Sequence, residues 1–320
     1  MSVPKPHWYQ PGKVMVSTAP TCGISKGGGP LARYDEHGRK VYETDPETGE
    51  DRLAVDDRLL DDMEALRNGR TTETLRFFDA GDLSLRHAVP AYYDRRYHEA
   101  FAEALAEPAY EGFTAATLGE LAADGRITLQ NGHGSAPKDL RTGDVPYIKV
   151  SDLRAGLVNI NPTNYVPLTF ARGMWGGPTS DLQPFDLLSP NRASRNIGDF
   201  CVLMPGQEQV MLTKEVIVLR PGPEADFDPF YLLWAMTLKV VRDQWNRVVF
   251  MQTNREDVGD RFLEIEVPIA PDAERAAEVS EPFRRYFRTL AEERDRLTDY
   301  LSDGAHHYLM GGADEVDQEV

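Results

Sequence analysis

Hydrophobic and polar positions alternate in two different ways along this chain. Up to about residue 110, apolar residues are sparse and aperiodic, and Gly and Pro interrupt them in TCGISKGGGPLARYDEHGR and ETDPETGED, which predicts loops and a hairpin. Two short helices stand out there: DDRLLDDMEALRNGR, closed by Asn68-Gly69, and YYDRRYHEAFAEALAE, ending near Pro108. From residue 111 the pattern becomes regular. In FTAATLGELAADGRI, Thr117 precedes Glu120 by three positions, a capping-box spacing, and Gly125 ends the helix. Short alternating runs follow (VPYIKV, LVNINPTNYV, FCVLMP, EVIVLRPG), predicting strands of an irregular, mostly half-buried sheet. In the first run Tyr147 and Lys149 share one face, and Ile148 and Val150 the other. DFDPFYLLWAMTLKVVRDQWNRVV then predicts one strong helix, with Asp228 as cap, Pro229 at the first position, and Phe230, Leu233, Trp234, Leu238, Val241 and Trp245 at helical spacing. FLEIEVPIAP reads as a strand whose Pro268 places it at an edge. After Pro271 and the candidate cap Asp272, a charged amphipathic helix carries Phe283, Tyr286, Leu290, Leu297 and Tyr300 near heptad spacing, and Pro282 either kinks it or marks its start.

The expected class is therefore α+β, with an irregular curved sheet and a long C-terminal amphipathic helix. Residues 1–110 form an irregular segment with short helices, 111–270 a strand-rich domain, 271–304 the long helix, and 305–320 a flexible acidic tail.

Composition narrows the function. A chain of 320 residues with 41% hydrophobic residues can bury a core, so it is not a disordered protein. Its 52 acidic against 35 basic residues, net charge −17, exclude a uniformly basic surface, so any nucleic-acid site is a local patch on an acidic body. Cys22 and Cys201 are the only cysteines, the usage of a reducing compartment. The N-terminus lacks the layout of a secretory signal and no apolar window is long enough to span a bilayer, so the expected location is the cytoplasm, without membrane association.

Catalytic signatures are missing. Gly27-Gly28-Gly29 lacks the Gly-Lys-Ser/Thr ending and strand-helix context of a phosphate loop. Adjacent side chains such as His306 and His307 are expected to point apart, and His133 has no sequence-visible partner, so neither predicts a metal site or a general base. No methyl-donor loop and no Asn/Asp-Pro-Pro-aromatic tetrad occurs; no catalytic residue, metal or cofactor is expected. Two polar loops stand out instead. SPNRASRNIGDF offers Asn191, Arg192, Ser194, Arg195 and Asn196 between two strands, and FMQTNRED offers Gln252, Thr253, Asn254 and Arg255 after the strong helix. Guanidinium and amide groups on loops suit phosphates and base edges, although Asn and Ser belong in turns in any case. Lys149 and Lys214, in or beside strands, complete the candidate set as backbone-positioning cations.

The order of these pieces resembles the target recognition domain of the DNA specificity subunit of type I restriction-modification systems. The series over about residues 112–303 is TLGEL, GDVPYIKVSDL, FDLLSPNRASRNIGDF, LTKEVIVLRPG, DPFYLLWAMTL, MQTNRED and FLEIEVPIAP, then the long helix. The family's acidic-Gln pair after its Pro is incomplete here, where IAPDAERAAEV keeps Pro271 and Glu274 without the Gln. The resemblance implies a non-catalytic protein that docks in the major groove of double-stranded DNA and directs a methyltransferase subunit, and possibly a restriction subunit, to its target. It also implies a spacer helix that packs on the methyltransferase or on a second copy, here through Phe283, Tyr286, Leu290 and Leu297. A complete family member has two recognition domains and two helices, so this chain resembles half of one. Residues 20–100 resemble the C-terminal tail of an N6-adenine DNA methyltransferase of the same systems. The alternatives left open are an assembly subunit that reads no DNA, and the truncated end of a fused methyltransferase-specificity enzyme.

Overall fold

In the computed structural model, the described residues are 5–25, 27–84, 87–161, 163–192, 194, 196–249 and 258–302. They form two compact units, 1–96 and 97–320. In the first, β1 (Lys13–Ser17) pairs antiparallel with β4 (Leu75–Asp79), and β2 (Tyr42–Thr44) with β3 (Asp51–Leu53) as a hairpin. Helix α1 (Arg58–Arg67) starts where Asp57 accepts the Leu60 N–H at 2.9 Å and stops at Asn68, with Gly69 at φ +69°. Its buried Asp62 accepts hydroxyl hydrogen bonds from Ser17, Thr72 and Thr74, which ties the helix to β1 and the start of β4.

The second unit is a mixed α+β body. Helix α2 (Arg96–Leu105) leads to β5 (Thr114–Thr117), α3 (Leu118–Ala123) and β6 (Ile127–Asn131). The capping box forms as expected: the Thr117 hydroxyl accepts from Glu120 N at 3.1 Å and the Glu120 carboxylate accepts from Thr117 N at 2.7 Å. Next come β7 (Val145–Ile148), β8 (Leu153–Arg154), β9 (Leu157–Val158), β10 (Tyr165–Val166) and α4 (Leu168–Trp175). Four more strands follow, β11 (Leu187–Pro190), β12 (Cys201–Val202), β13 (Met211–Leu212) and β14 (Val216–Pro221). Helices α5 (Pro229–Thr237), α6 (Lys239–Arg242) and α7 (Trp245–Val248), strand β15 (Glu266–Ile269) and helix α8 (Ala273–Ser302) complete it.

The six-stranded sheet has the order β6-β14-β11-β12-β9-β8, and a three-stranded sheet the order β10-β7-β13. Period-two alternation sorts the side chains into layers. Leu187, Val202, Ile217 and Leu219 face a core shared with α3, α5, α7 and α8. Their neighbours Leu188, Cys201, Val216 and Val218 face Ile148 and Leu212 of the smaller sheet. Tyr147, Val145 and Met211 on the far side of that sheet pack against α4. The sheet is thus not half-buried as its alternation predicts: β7, β11 and most of β14 are buried on both faces, because each face has its own covering layer. The face assignment of Tyr147 and Ile148 holds, but both residues are core and Lys149 lies just past the strand end.

The single helix expected from Asp228 to Val249 is three. Asp228 caps α5 through Phe230 N and Tyr231 N, but Leu238 is extended (φ −60°, ψ 132°) and breaks the rod. Phe230 to Leu233, Ala235 and Met236 are all buried, so α5 has core on nearly every side. A straight continuation could not also seat Trp245 over Phe262, where the rings stack at 6.3 Å. Gln244, fully buried, accepts from Glu266 N at 2.8 Å and donates to Glu266 O at 2.9 Å, so a side-chain amide takes the place of a neighbouring strand. Helix α8 begins behind Asp272, whose carboxylate accepts from Arg275 N at 2.8 Å. It runs through Pro282, which sits exposed on its outer side within the helix, so Pro282 is not its start.

Candidate nucleic-acid interface

One end of the six-stranded sheet gathers much of the polar chemistry. The register pairs Pro190 with Val216 and Ile217 with Asn131, so the chain leaving β11, the turn entering β14 and the end of β6 meet there. Asn191 N donates to Glu215 O at 2.7 Å, and Gly132 N to Val216 O at 2.7 Å. The approach at Gly132 is so close that a Cβ would lie 1.9 Å from the Thr213 carbonyl oxygen, so only glycine fits. The Asn191 amide lies 3.4 Å from Asn131 Oδ1, and its own Oδ1 is buried without a hydrogen-bond partner among the described residues.

Val258, the first described residue after the second polar stretch, donates its N–H to Asn191 O at 3.1 Å. Arg195, Gln252, Thr253, Asn254 and Arg255 lie outside the described residues. Arg192 is described, and its guanidinium meets the Glu215 carboxylate at 2.6 Å with both side chains about one-third exposed. Asn196, expected as a loop donor, spends its amide on Val150 O at 3.3 Å and Leu153 O at 3.0 Å, which fastens the loop to the segment after β7.

Strands β7 and β13 run parallel, with Ile148 opposite Leu212, and Thr213 N donates to Ile148 O at 2.9 Å. Lys149 and Lys214 therefore emerge at the same strand ends, Lys149 half-buried and Lys214 exposed in the turn before β14. Burial, followed by the nearby Arg141 guanidinium, pulls the Lys149 ammonium below its ordinary pKa, and Asp152 opposes both. The structure thus brings together Lys149, Asn191, Arg192 and Lys214. The other two contributors, Asn131 and the counter-ion Glu215, lie far from the two loops in sequence or carry the wrong charge sign, so no local motif marks them.

Of the C-terminal helix residues, Phe283 and Leu290 pack on the domain's own core beside buried Phe287 and Ala291. Tyr286 and Leu297 are exposed, at 58% and 47%. His133 is not a loop base: its Nδ1 accepts from Leu212 N and its Nε2 meets Ser180 O, both at 2.9 Å. Burial pushes the Cys201 thiol up to about 11, which makes it inert. Among the described residues no three His, Cys, Asp or Glu side chains gather to hold a metal, and no helix is long and apolar enough to cross a membrane.

No family model matches the sequence, and no curated protein matches it. Several solved structures are similar to part of the chain. The HsdS subunit from Thermoanaerobacter tengcongensis is similar over 63% of this chain and 44% of its own, with 17% identity and a TM-score of 0.37. The type I restriction-modification S subunit from M. genitalium is similar over 65% and 50%, with 14% identity and a TM-score of 0.35. The type IIG restriction endonuclease BpuSI is similar over 70% and 33%, with 11% identity and a TM-score of 0.44. The chain spans half or less of the length of each.

Proposed function

We propose that this protein recognises a specific double-stranded DNA sequence and directs a partner methyltransferase subunit, with or without a restriction subunit, to that site. It does so as a non-enzymatic, cytoplasmic specificity subunit. The observation that supports the reading is the hydrogen bond from Val258 N to Asn191 O, which joins the described residue that follows the second polar stretch to the first residue of the SPNRASRNIGDF loop after β11. Base readout calls for convergence of amide and guanidinium groups, with cations beside them to hold the backbone. In this reading residues 111–270 are the recognition domain and 271–304 the spacer helix, whose exposed Tyr286 and Leu297 meet the partner or a second copy. Residues 1–110 are the tail of a methyltransferase-like segment.

The test is to replace Arg192, Arg195 and Arg255 together by Ala, purify the chain with its methyltransferase, and measure duplex affinity against salt and the bases methylated. The expected result is loss of target preference and a shallower salt dependence, by about 0.9 per phosphate contact removed. Unchanged affinity, slope and target would remove these loops from recognition.

The engagement of Arg192 by Glu215 favours a second reading, an assembly subunit that bridges its partners without reading DNA. That protein alone would show no duplex preference, and its complex would keep the same target after both loops are changed.

A further inference from the structure

The described cations from Tyr97 to Val249 fall into two groups. Between residues 97 and 249, Arg126, Arg192, Arg220, Lys239, Arg242 and Arg247 each meet a carboxylate. The described cations of that stretch with no ion-pair partner are Lys138, Arg141, Lys149, Arg154, Arg172 and Lys214. Five of the six come from the single stretch 138–172 that surrounds β7, and Lys214 emerges beside it at the end of β13. Arg285, Arg288 and Arg294 on α8 also lack a carboxylate partner, so what distinguishes the stretch around β7 is that its described cations border one another in the chain, on a protein of net charge −17.

Two of them share a platform. The Arg141 guanidinium carbon lies 5.7 Å from the centroid of the Tyr147 ring, and Lys149 Nζ lies 5.8 Å from it. Tyr147 is 3% exposed, so the platform is fixed by the core beneath it. The buried Asp152 accepts from Lys149 N at 2.8 Å and from the Ser151 hydroxyl at 3.3 Å, and forms no ion pair with the Lys149 ammonium. Arg141 is held through Nε and Nη2 to Ala136 O, both at 3.3 Å, and no carboxylate faces it within ion-pair distance. The Arg141 charge acts on Lys149, so the two cations bordering this ring repel each other, and an anion that reaches both relieves that repulsion.

We infer that Arg141 and Lys149, seated on Tyr147, form a clamp for one phosphate group of a nucleic-acid backbone. This rests on the DNA-recognition reading for the source of the phosphate and adds Arg141 to it as a positioning residue. The clamp carries no sequence information. It fixes the register in which the two polar loops meet the bases.

The test uses the full chain with Arg141→Gln, Lys149→Gln and the double variant, beside Arg285→Gln on α8 as a charge control. Duplex affinity is measured from 50 to 200 mM salt. Because one phosphate has one charge to neutralise, the double variant should flatten the log-log salt slope by about 0.9, not twice that, relative to the control. Its target preference should be unchanged. In parallel, inorganic phosphate at millimolar concentration is titrated into the free chain and followed by NMR at Tyr147. A saturable shift in the wild-type protein that the double variant loses supports the clamp even where no duplex binds, an outcome that would sink the DNA reading alone. A slope that stays parallel to the control, or a phosphate response that survives in the double variant, overturns the clamp.

Discussion

His133 shows how one side chain can link the candidate interface to pH. It is half-buried, and its ring bridges the segment after β6 to Leu212 of β13 and to Ser180. Because Nδ1 accepts the Leu212 N–H, the neutral form with its proton on Nε2 is the one that fits. Burial is the main cause that holds the imidazole below its ordinary value of 6.5; the Ser180 carbonyl and the Asp181 charge oppose it. The unfolded chain therefore binds a proton that the folded chain refuses. Stability from this site is complete above about pH 6.5 and is lost as pH falls through the depressed folded value. His133→Gln removes that linkage. Urea midpoints measured from pH 8 to pH 5 should therefore converge, with the wild type losing more than the variant; parallel curves would show that His133 does not titrate as argued. Gly132, next in sequence, shows the opposite kind of constraint, a position where any side chain collides with the Thr213 carbonyl.

At the scale of elements, one hydroxyl ties α5 to the chain between β15 and α8, beside the Arg284–Asp228 ion pair and the Phe230–Phe287 stack that join α5 to α8 directly. Tyr231 is buried on α5, donates to Pro268 O at 2.9 Å and accepts from Ala270 N at 2.8 Å, which secures the two ends of the turn from β15 into α8. Tyr231→Phe leaves the Ala270 N–H buried and unpaired, at a cost of about 1–3 kcal/mol. The expected signature is a lower urea midpoint with unchanged slope and faster amide exchange at Ala270; unaltered exchange would mean that α8 is held elsewhere. No motif predicts this joint, because it links residues that are far apart in sequence. What the sequence discloses is local. The Thr117–Glu120 capping box, the Asp228-Pro229 start of α5 and the Asp272 start of α8 each need only a few neighbouring residues, and each forms as expected. The break at Leu238, the Gln244 amide paired to Glu266 and the close contact of Gly198 with the Trp245 ring are all set by tertiary packing. The candidate interface divides in the same way. Its polar stretches are legible in the sequence, one between two strands and one after the strong helix, whereas Asn131, Glu215 and Arg141 enter only once the sheets bring distant segments to one end.

At the scale of the whole molecule, the long helix has two characters that its heptad-like pattern does not separate. Phe283, Phe287, Leu290 and Ala291 belong to the core of the second unit. Tyr286, Leu297 and Tyr300 are exposed at 58%, 47% and 69%, on a helix that continues to Ser302 while nearly every residue after Ala291 faces solvent. An exposed stripe of this kind costs the folded chain little to change, since surface substitutions usually stay within about 0.5 kcal/mol. Truncating Phe287 to Ala should instead cost about 3–5 kcal/mol. Leu297→Asp paired with Tyr286→Asp therefore separates folding from assembly. The double variant should unfold at the wild-type urea midpoint yet lose mass in analytical ultracentrifugation, either as a weakened complex with the methyltransferase or as a weakened self-complex. If the midpoint drops with the mass, the stripe is part of the core after all. If neither changes, the partner surface lies on another face, and the spacer role proposed for residues 271–304 falls with it.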